Sequence, residues 1–138
     1  MKRLHIHIHT ADLDQSIRYY TALFGVEPTK READYAKWML DEPAANIAIS
    51  SRGGAPGVDH LGISLDDDGM LEEIADRMKE AQAPLEPEKN ATCCYARANK
   101  YWSRDPQGAT WELFHTFADA DHFGKDAPQL AGSACCTA

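Results

Sequence analysis

The stretch LHIHIHTADLDQSIRYYTALFG, residues 4–25, contains the signals of one strand followed directly by one helix. Leucine or isoleucine alternates with histidine over its first six residues, and a period of two is typical of a β-strand. Apolar residues then recur at intervals of four, three and four from Leu13 to Phe24, which is the spacing of a helix face. Asp12 and Gly25 flank this series and are favoured at a helix start and a helix end. The stretch therefore predicts a strand followed by a helix.

The same order of signals returns in the second half of the chain. GVDHLGISL is a second strand candidate, and DDDGMLEEIADRMKEAQAP has the acidic start and apolar face of a second helix. Two or three short strand candidates follow each helix. Because aligning His5 with His60 brings the strands and helices into step, the repeat predicts an α+β fold of two similar modules. Their expected limits are 1–53 and 54–117, followed by a flexible tail with a cysteine pair at 118–138.

Composition and charge exclude several classes of function. The 138 residues are 43% apolar, which is consistent with one compact unit or two small halves that share a core. A net charge of −8 argues against binding to nucleic acid or to an anionic membrane surface. No stretch approaches the roughly 20 apolar residues of a membrane span, and the N-terminus lacks a signal-peptide core. We therefore expect a cytoplasmic protein with no nucleic-acid or membrane partner.

Four cysteines form two adjacent pairs, Cys93 with Cys94 and Cys135 with Cys136. A disulfide between neighbouring residues would close a strained ring, and nothing in the sequence suggests export. We therefore expect reduced thiols, which are free to bind a soft ion or to react.

Three further residues suggest a metal site. The repeat places His5 and His60 at corresponding positions of two strands, so a pseudo-twofold axis would bring the imidazoles together. In TWELF, Glu112 lies on the strand face opposite its two apolar neighbours. Two histidines and one carboxylate with open positions are the ligands of non-haem Fe(II) oxygenases. The alternative is that these are structural residues of a strand interior.

These strands and turns resemble the vicinal oxygen chelate superfamily from Leu4 to Thr116. The resemblance implies two βαβββ modules that form a cupped mixed sheet around a metal cavity. DYAKWML, TCCYARANKYW and DPQGATWELF are together similar to the organoarsenical carbon–arsenic lyases and to cadmium-induced CadI-type proteins. FADADHFGK and the late cysteine pair also resemble the C-terminal extension of the CadI-type branch.

The lyase resemblance implies a specific reaction. An Fe(II)-dependent dioxygenase of this kind uses O₂ as co-substrate and cleaves the carbon–arsenic bond of trivalent organoarsenicals, releasing arsenite from methylarsenite. The resemblance matches the metal ligands to His5, His60 and Glu112, and the arsenic-binding thiols to Cys93 and Cys94. Another divalent metal in place of iron stays open, as does the choice between a monomer and a homodimer.

The roles of several other residues are interpreted as structural or stay open. The segment from Glu86 to Lys100 has proline and polar residues at its start and is predicted to be a mobile lid, with Lys100 in solvent. His7 and His9 are interpreted as polar lining of the cavity. Cys135 and Cys136 are interpreted as a metalloid capture site, a Cd²⁺ site or a dispensable tail, and two cysteine pairs in so short a chain favour capture.

Two other functions remain as alternatives. One is a non-enzymatic stress protein that binds cadmium or arsenic through its cysteines, which would not require the set of His5, His60 and Glu112. The other is a different enzyme of the superfamily, such as a glyoxalase, a thiol transferase or an extradiol dioxygenase. Glyoxalases and thiol transferases typically use a second carboxylate as a fourth ligand, and the segment NIAISS of the first module contains none.

Overall fold

The computed structural model describes residues 1–125 and 127–128, and both halves have the order strand, helix and three strands. The first module contains β1 (Arg3–His9), α1 (Leu13–Phe24), β2 (Lys30–Glu32), β3 (Tyr35–Asp41) and β4 (Ala44–Ser50). The second contains β5 (Gly57–Leu65), α2 (Asp68–Glu80), β6 (Glu86–Cys93), β7 (Ala96–Arg104) and β8 (Thr110–Asp119).

The strands of the described chain form one mixed sheet with the order β2-β3-β4-β1-β5-β8-β7-β6. The first strands of the two modules, β1 and β5, run antiparallel at its centre. On either side, β1 pairs in parallel with β4 and β5 pairs in parallel with β8. The two halves are therefore related by a pseudo-twofold axis between β1 and β5, and the predicted fold class of two βαβββ modules is confirmed.

Capping residues determine where the helices begin. The Asp12 carboxylate accepts a hydrogen bond from the backbone amide of Gln15, and Asp67 does the same for Met70 at the start of α2. Gly25 ends α1 with a φ of 73°, a conformation that glycine adopts without strain. The predicted start and end of α1 agree with these caps.

Each helix packs its apolar face on one face of the sheet. Leu13 and Ile17 of α1 contact a cluster that includes Trp38 and Ile47, whereas Leu71 of α2 belongs to a second cluster. Alternate residues of the strands therefore point away from the helices, toward the opposite face. That opposite face carries the histidines of β1.

The thiol-bearing segment differs from its prediction, because residues 86–104 form a β-hairpin rather than a mobile lid. Cys93 is the last residue of β6 and pairs with Ala96 of β7, so Cys94 and Tyr95 form a two-residue turn. The reason is visible in β7, where residues 96–98 alternate between buried alanine and exposed arginine. The strand candidates after the second helix included CCYARA and KYWSRD and so covered β7, whereas β6 was predicted only as part of the lid.

The chain after the second module also differs from the predicted tail. Strand β8 continues to Asp119, and Phe123 is buried against Tyr35 and Tyr95. Gly124 then forms an antiparallel bridge with Cys93. The segment up to residue 125 is therefore packed, because one aromatic side chain anchors it. Cys135 and Cys136 lie outside the described residues.

Neither α1 nor α2 is long and apolar enough to cross a membrane.

Candidate metal centre and thiol site

Three central strands bring His5, His60 and Glu112 together on one face of the sheet. The Nε2 atoms of His5 and His60 lie 3.3 Å apart, and each lies 3.4 Å from Oε1 of Glu112. Each of the three residues is 5% exposed. A metal ion about 2.1 Å from each atom would need separations of roughly 3.0 to 3.4 Å between cis ligands. The three residues therefore fit a divalent metal.

Gly62 makes this approach geometrically feasible. It pairs with His5 of β1 on one side and with Glu112 of β8 on the other, so the three residues form a row across the sheet. A Cβ atom at position 62 would lie 2.2 Å from the carbonyl oxygen of Glu112. Any larger residue would push the two strands apart.

Hydrogen bonds at Nδ1 orient both imidazoles. Nδ1 of His60 lies 2.7 Å from Oδ2 of Asp59, and Nδ1 of His5 lies 3.1 Å from both the carbonyl and the side-chain oxygen of Asn46. A proton on Nδ1 leaves Nε2 as the free electron-pair donor, which is the usual arrangement of a metal-binding histidine. Sequence reasoning missed both partners, although Asp59 directly precedes His60 in the motif VDH.

Lys100 holds the second oxygen of the carboxylate. Its Nζ atom donates to Oε2 of Glu112 over 2.6 Å, and the lysine is only 2% exposed. The expectation of a solvated lysine was therefore wrong, because the alternation of β7 turns residue 100 into the cavity beside the Trp102 ring. With Oε2 engaged, Oε1 is the atom that faces the histidines.

His7 lies between the histidine–carboxylate cluster and the thiols. Among the described residues, His5, His7 and His60 have possible metal-ligand atoms that all lie within 4.8 Å of one another. The Oε1 atom of Glu112 lies closer still to His5 and His60, at 3.4 Å from each Nε2 atom. Nε2 of His7 lies 2.8 Å from the Ser50 hydroxyl, and Nδ1 lies 3.8 Å from Sγ of Cys94. Sequence reasoning gave His7 no role, although the alternation with His5 placed it on the correct face.

The predicted thiols share one cavity with two of the three predicted metal ligands, and the third, His60, lies 3.3 Å from His5. Sγ of Cys93 and Sγ of Cys94 lie 3.2 Å apart, and both cysteines are free and half-buried. They line a space of about 30 Å³ together with His5, Lys100 and Glu112. The structure therefore brings together all five site residues that it describes.

Residues 2–113 match the model of the Glyoxalase/Bleomycin resistance protein/Dioxygenase superfamily. The chain belongs to this superfamily.

Two relatives and one solved structure are similar to this chain over most of its length. A Thermomonospora curvata protein named trivalent organoarsenical cleaving enzyme is 34% identical, over 99% of this chain and 89% of that protein. The cadmium-induced protein CadI of Mycobacterium tuberculosis is 30% identical, over 99% of this chain and 93% of that protein. The Mn(II)-bound glyoxalase of Novosphingobium aromaticivorans has a TM-score of 0.61 at 15% identity, over 94% of this chain and 44% of that chain. At that identity, the last match shows the fold alone.

The pKa values of His5, His60 and Glu112 depend on burial and on the charges of one another. Burial lowers the pKa of His5 to about 4, although attraction to Glu112 opposes the shift. Burial alone would also lower the pKa of His60, but hydrogen bonds to Asp59 and Glu112 outweigh it and raise that pKa to about 9. Burial would raise the pKa of Glu112, whereas the Lys100 ammonium and His60 hold it well below its usual value. At neutral pH, His60 therefore carries a proton in the position where a metal ion would bind.

The pKa values of the two thiols are shifted in opposite directions. The hydrogen bond with Cys94 lowers the pKa of Cys93 despite burial, and the Lys100 ammonium adds to this effect. The same hydrogen bond, together with burial, raises the pKa of Cys94 well above its usual value. Cys93 is therefore the better nucleophile, since the thiolate is the reactive form.

Proposed function

We propose that the protein is an Fe(II)-dependent dioxygenase that cleaves the carbon–arsenic bond of trivalent organoarsenicals and converts methylarsenite to arsenite. The observation that carries this proposal is a pair of adjacent thiols in the same cavity as His5 and Glu112, each of which lies within 3.4 Å of His60. The relative named trivalent organoarsenical cleaving enzyme, which matches nearly the whole chain, supports an arsenic-related enzyme.

The thiols suit a trivalent arsenical in both softness and number. Arsenic is thiophilic, and methylarsenite has two exchangeable hydroxyl groups beside its methyl group. The Cys93 thiolate attacks arsenic first, and Cys94 displaces the second hydroxyl. Each As–S bond that forms replaces one As–O bond, and the two thiol protons leave with the hydroxyl groups as two molecules of water. The methyl group is the substituent that remains on arsenic.

His5, His60 and Glu112 would hold the metal. When bound, Fe(II) would supply the activation of O₂ that carbon–arsenic cleavage requires. Asp59 and Asn46 orient the two imidazoles, and Lys100 keeps Glu112 ionised while it occupies the other carboxylate oxygen. The surrounding burial excludes bulk water from the reacting groups.

A turnover experiment tests this function. Protein reconstituted anaerobically with Fe(II) is mixed with methylarsenite and then exposed to air, and arsenite is followed by chromatography with elemental detection. We expect arsenite only when both iron and oxygen are present, and none from Cys93→Ser or Glu112→Gln. Tyr19→Phe, an exposed position on α1, serves as the control that retains activity. Arsenite release without oxygen, or equal release by Glu112→Gln, would contradict the proposal.

A non-enzymatic role in binding thiophilic metals is the second candidate. The 30% identity to a protein named cadmium-induced protein CadI favours it. In this case Cys93 and Cys94 would retain Cd²⁺ or arsenite, and Cys135 and Cys136 would add capture capacity. Tight binding of methylarsenite by the Fe(II)-loaded protein in air, without any arsenite released, would support this alternative.

A further inference from the structure

The thiol-bearing turn is joined to the first module by side-chain contacts. β6 and β2 lie at opposite edges of the sheet, so no sheet hydrogen bonds connect them. Nevertheless, the Tyr95 hydroxyl donates to Oδ1 of Asp34 over 2.5 Å. Asp34 lies in the turn between β2 and β3, so this contact links the two edges of the cupped sheet.

Further contacts hold both ends of this link. Nζ of Lys30 donates to the carbonyl oxygen of Tyr95 over 2.6 Å. Nη1 of Arg52 donates to the other oxygen of Asp34 over 3.1 Å, and the same guanidinium stacks 3.8 Å from the centre of the Phe123 ring. Both partners are therefore oriented by additional residues.

The backbone of the turn depends on such support. Cys94 and Tyr95 have φ values of 56° and 60°, and a two-residue hairpin turn of this kind prefers Asn-Gly. Side chains other than glycine disfavour this left-handed conformation. Cys94 is both part of this strained turn and the thiol nearest to His7, so a relaxed turn would move the thiol away from the cavity.

We propose that Tyr95 and Asp34 form a latch that fixes the Cys94–Tyr95 turn and thereby positions both thiols toward the cavity of His5, His60 and Glu112. This inference rests on the proposed use of the thiols for a trivalent arsenical. Tyr95 and Asp34 are positioning residues, since they touch neither the candidate metal ligands nor a thiol sulfur by hydrogen bond. The latch also joins the second module to the first.

Thiol reactivity tests the latch without turnover. Tyr95→Phe, Asp34→Ala and the double variant are alkylated with iodoacetamide as folded, metal-free protein, and modification of Cys93 and Cys94 is quantified by peptide mapping. We expect about fivefold faster alkylation in each single variant and no further increase in the double variant, since both substitutions remove the same hydrogen bond. Tyr19→Phe, which removes an exposed hydroxyl from α1, should react like the unaltered protein.

Two measurements keep the result interpretable. Thermal unfolding of each variant establishes that it is folded. Lys30→Met provides a further variant because it removes the contact to the Tyr95 carbonyl, together with an ion pair to Asp119, and leaves the Tyr95–Asp34 hydrogen bond in place. Alkylation rates equal to or lower than those of the unaltered protein in Tyr95→Phe, Asp34→Ala and Lys30→Met would overturn the latch.

Turnover separates the latch from the proposed function. If the unaltered protein releases arsenite, the latch variants should show about a tenfold lower kcat with unchanged Fe(II) binding. If no protein releases arsenite but the alkylation pattern holds, the proposed function fails and the latch stands. If arsenite is released and alkylation is the same in all variants, the latch alone is wrong.

Discussion

His5 Nε2 and Glu112 Oε1 lie 3.4 Å apart although a third strand separates the strands that carry them. The intervening residue on that strand is Gly62, which pairs with both. Because Gly62 has no side chain, two long side chains from β1 and β8 can meet above it. The candidate metal centre therefore depends on a residue that contributes no ligand atom.

Gly62→Ala should damage both the fold and the metal site. The added Cβ would lie 2.2 Å from a backbone oxygen of Glu112, so β5 and β8 must separate. We expect a loss of roughly 2–3 kcal/mol in the free energy of unfolding. Affinity for a divalent metal should fall by at least about tenfold, measured by calorimetric titration with Mn²⁺.

Gly69→Ala is the matched control for this substitution. Its Cβ would meet only a side-chain oxygen of Asp67, at 3.1 Å, in the first turn of α2. It should leave metal affinity unchanged. If Gly62→Ala binds Mn²⁺ as tightly as this control, Gly62 is not required for the site.

Lys100→Met should destabilise the metal-free protein. It would leave the Glu112 carboxylate buried without the ammonium that lies 2.6 Å away, and removal of one partner from a buried pair costs about 3–5 kcal/mol. Denaturant unfolding at neutral pH measures this loss. Lys89→Met breaks an exposed ion pair to Glu72 and should cost less than about 1 kcal/mol. Equal losses in the two variants would show that Lys100 contributes no more than a surface lysine.

Metal affinity should increase with pH. The His60 pKa is raised to about 9, so below that pH a proton occupies the nitrogen that would bind the metal. Displacement of one proton weakens binding by about tenfold per pH unit below the pKa. Between about pH 6 and 8, calorimetry with Mn²⁺ in buffers of different ionisation enthalpy should detect at least one proton released per ion.

Asp59→Asn provides the comparison for the pH dependence. It removes the carboxylate that contributes most to the raised pKa of His60, so the pH dependence should shift to lower pH. Affinity that is constant from pH 6 to 8 in the unaltered protein would contradict a protonated His60.

The two thiols should differ in the rate of their first reaction. The pKa of Cys93 is lowered and that of Cys94 is raised, so Cys93 should carry most of the initial reactivity. Cys93→Ser should slow initial alkylation by iodoacetamide by at least about tenfold. Cys94→Ser retains a hydroxyl that can donate to Cys93 and should slow it much less. Similar initial rates in the two variants would contradict the prediction that Cys93 reacts first.

Much of the fold could be predicted from the sequence because its signals are local. The alternation in β1, the Asp12 cap and the C-terminal Gly25 all act over a few residues of chain. The repeat then aligned His5 with His60, and the structure brings their Nε2 atoms within 3.3 Å. The first strand of the thiol hairpin was missed because β6 is rich in proline, charged and polar residues and buries only Ala91, which is a weak strand signal.

The sequence by itself determined most of the strands, both helices, the two-module repeat and the residue types of the candidate site. Only the tertiary structure decided that Lys100 is buried against Glu112, that Asn46 orients His5, and that Tyr95 reaches Asp34. The physical reason is that these contacts join distant parts of the chain. They depend on the order of the strands and their register, which short-range periodicity does not encode.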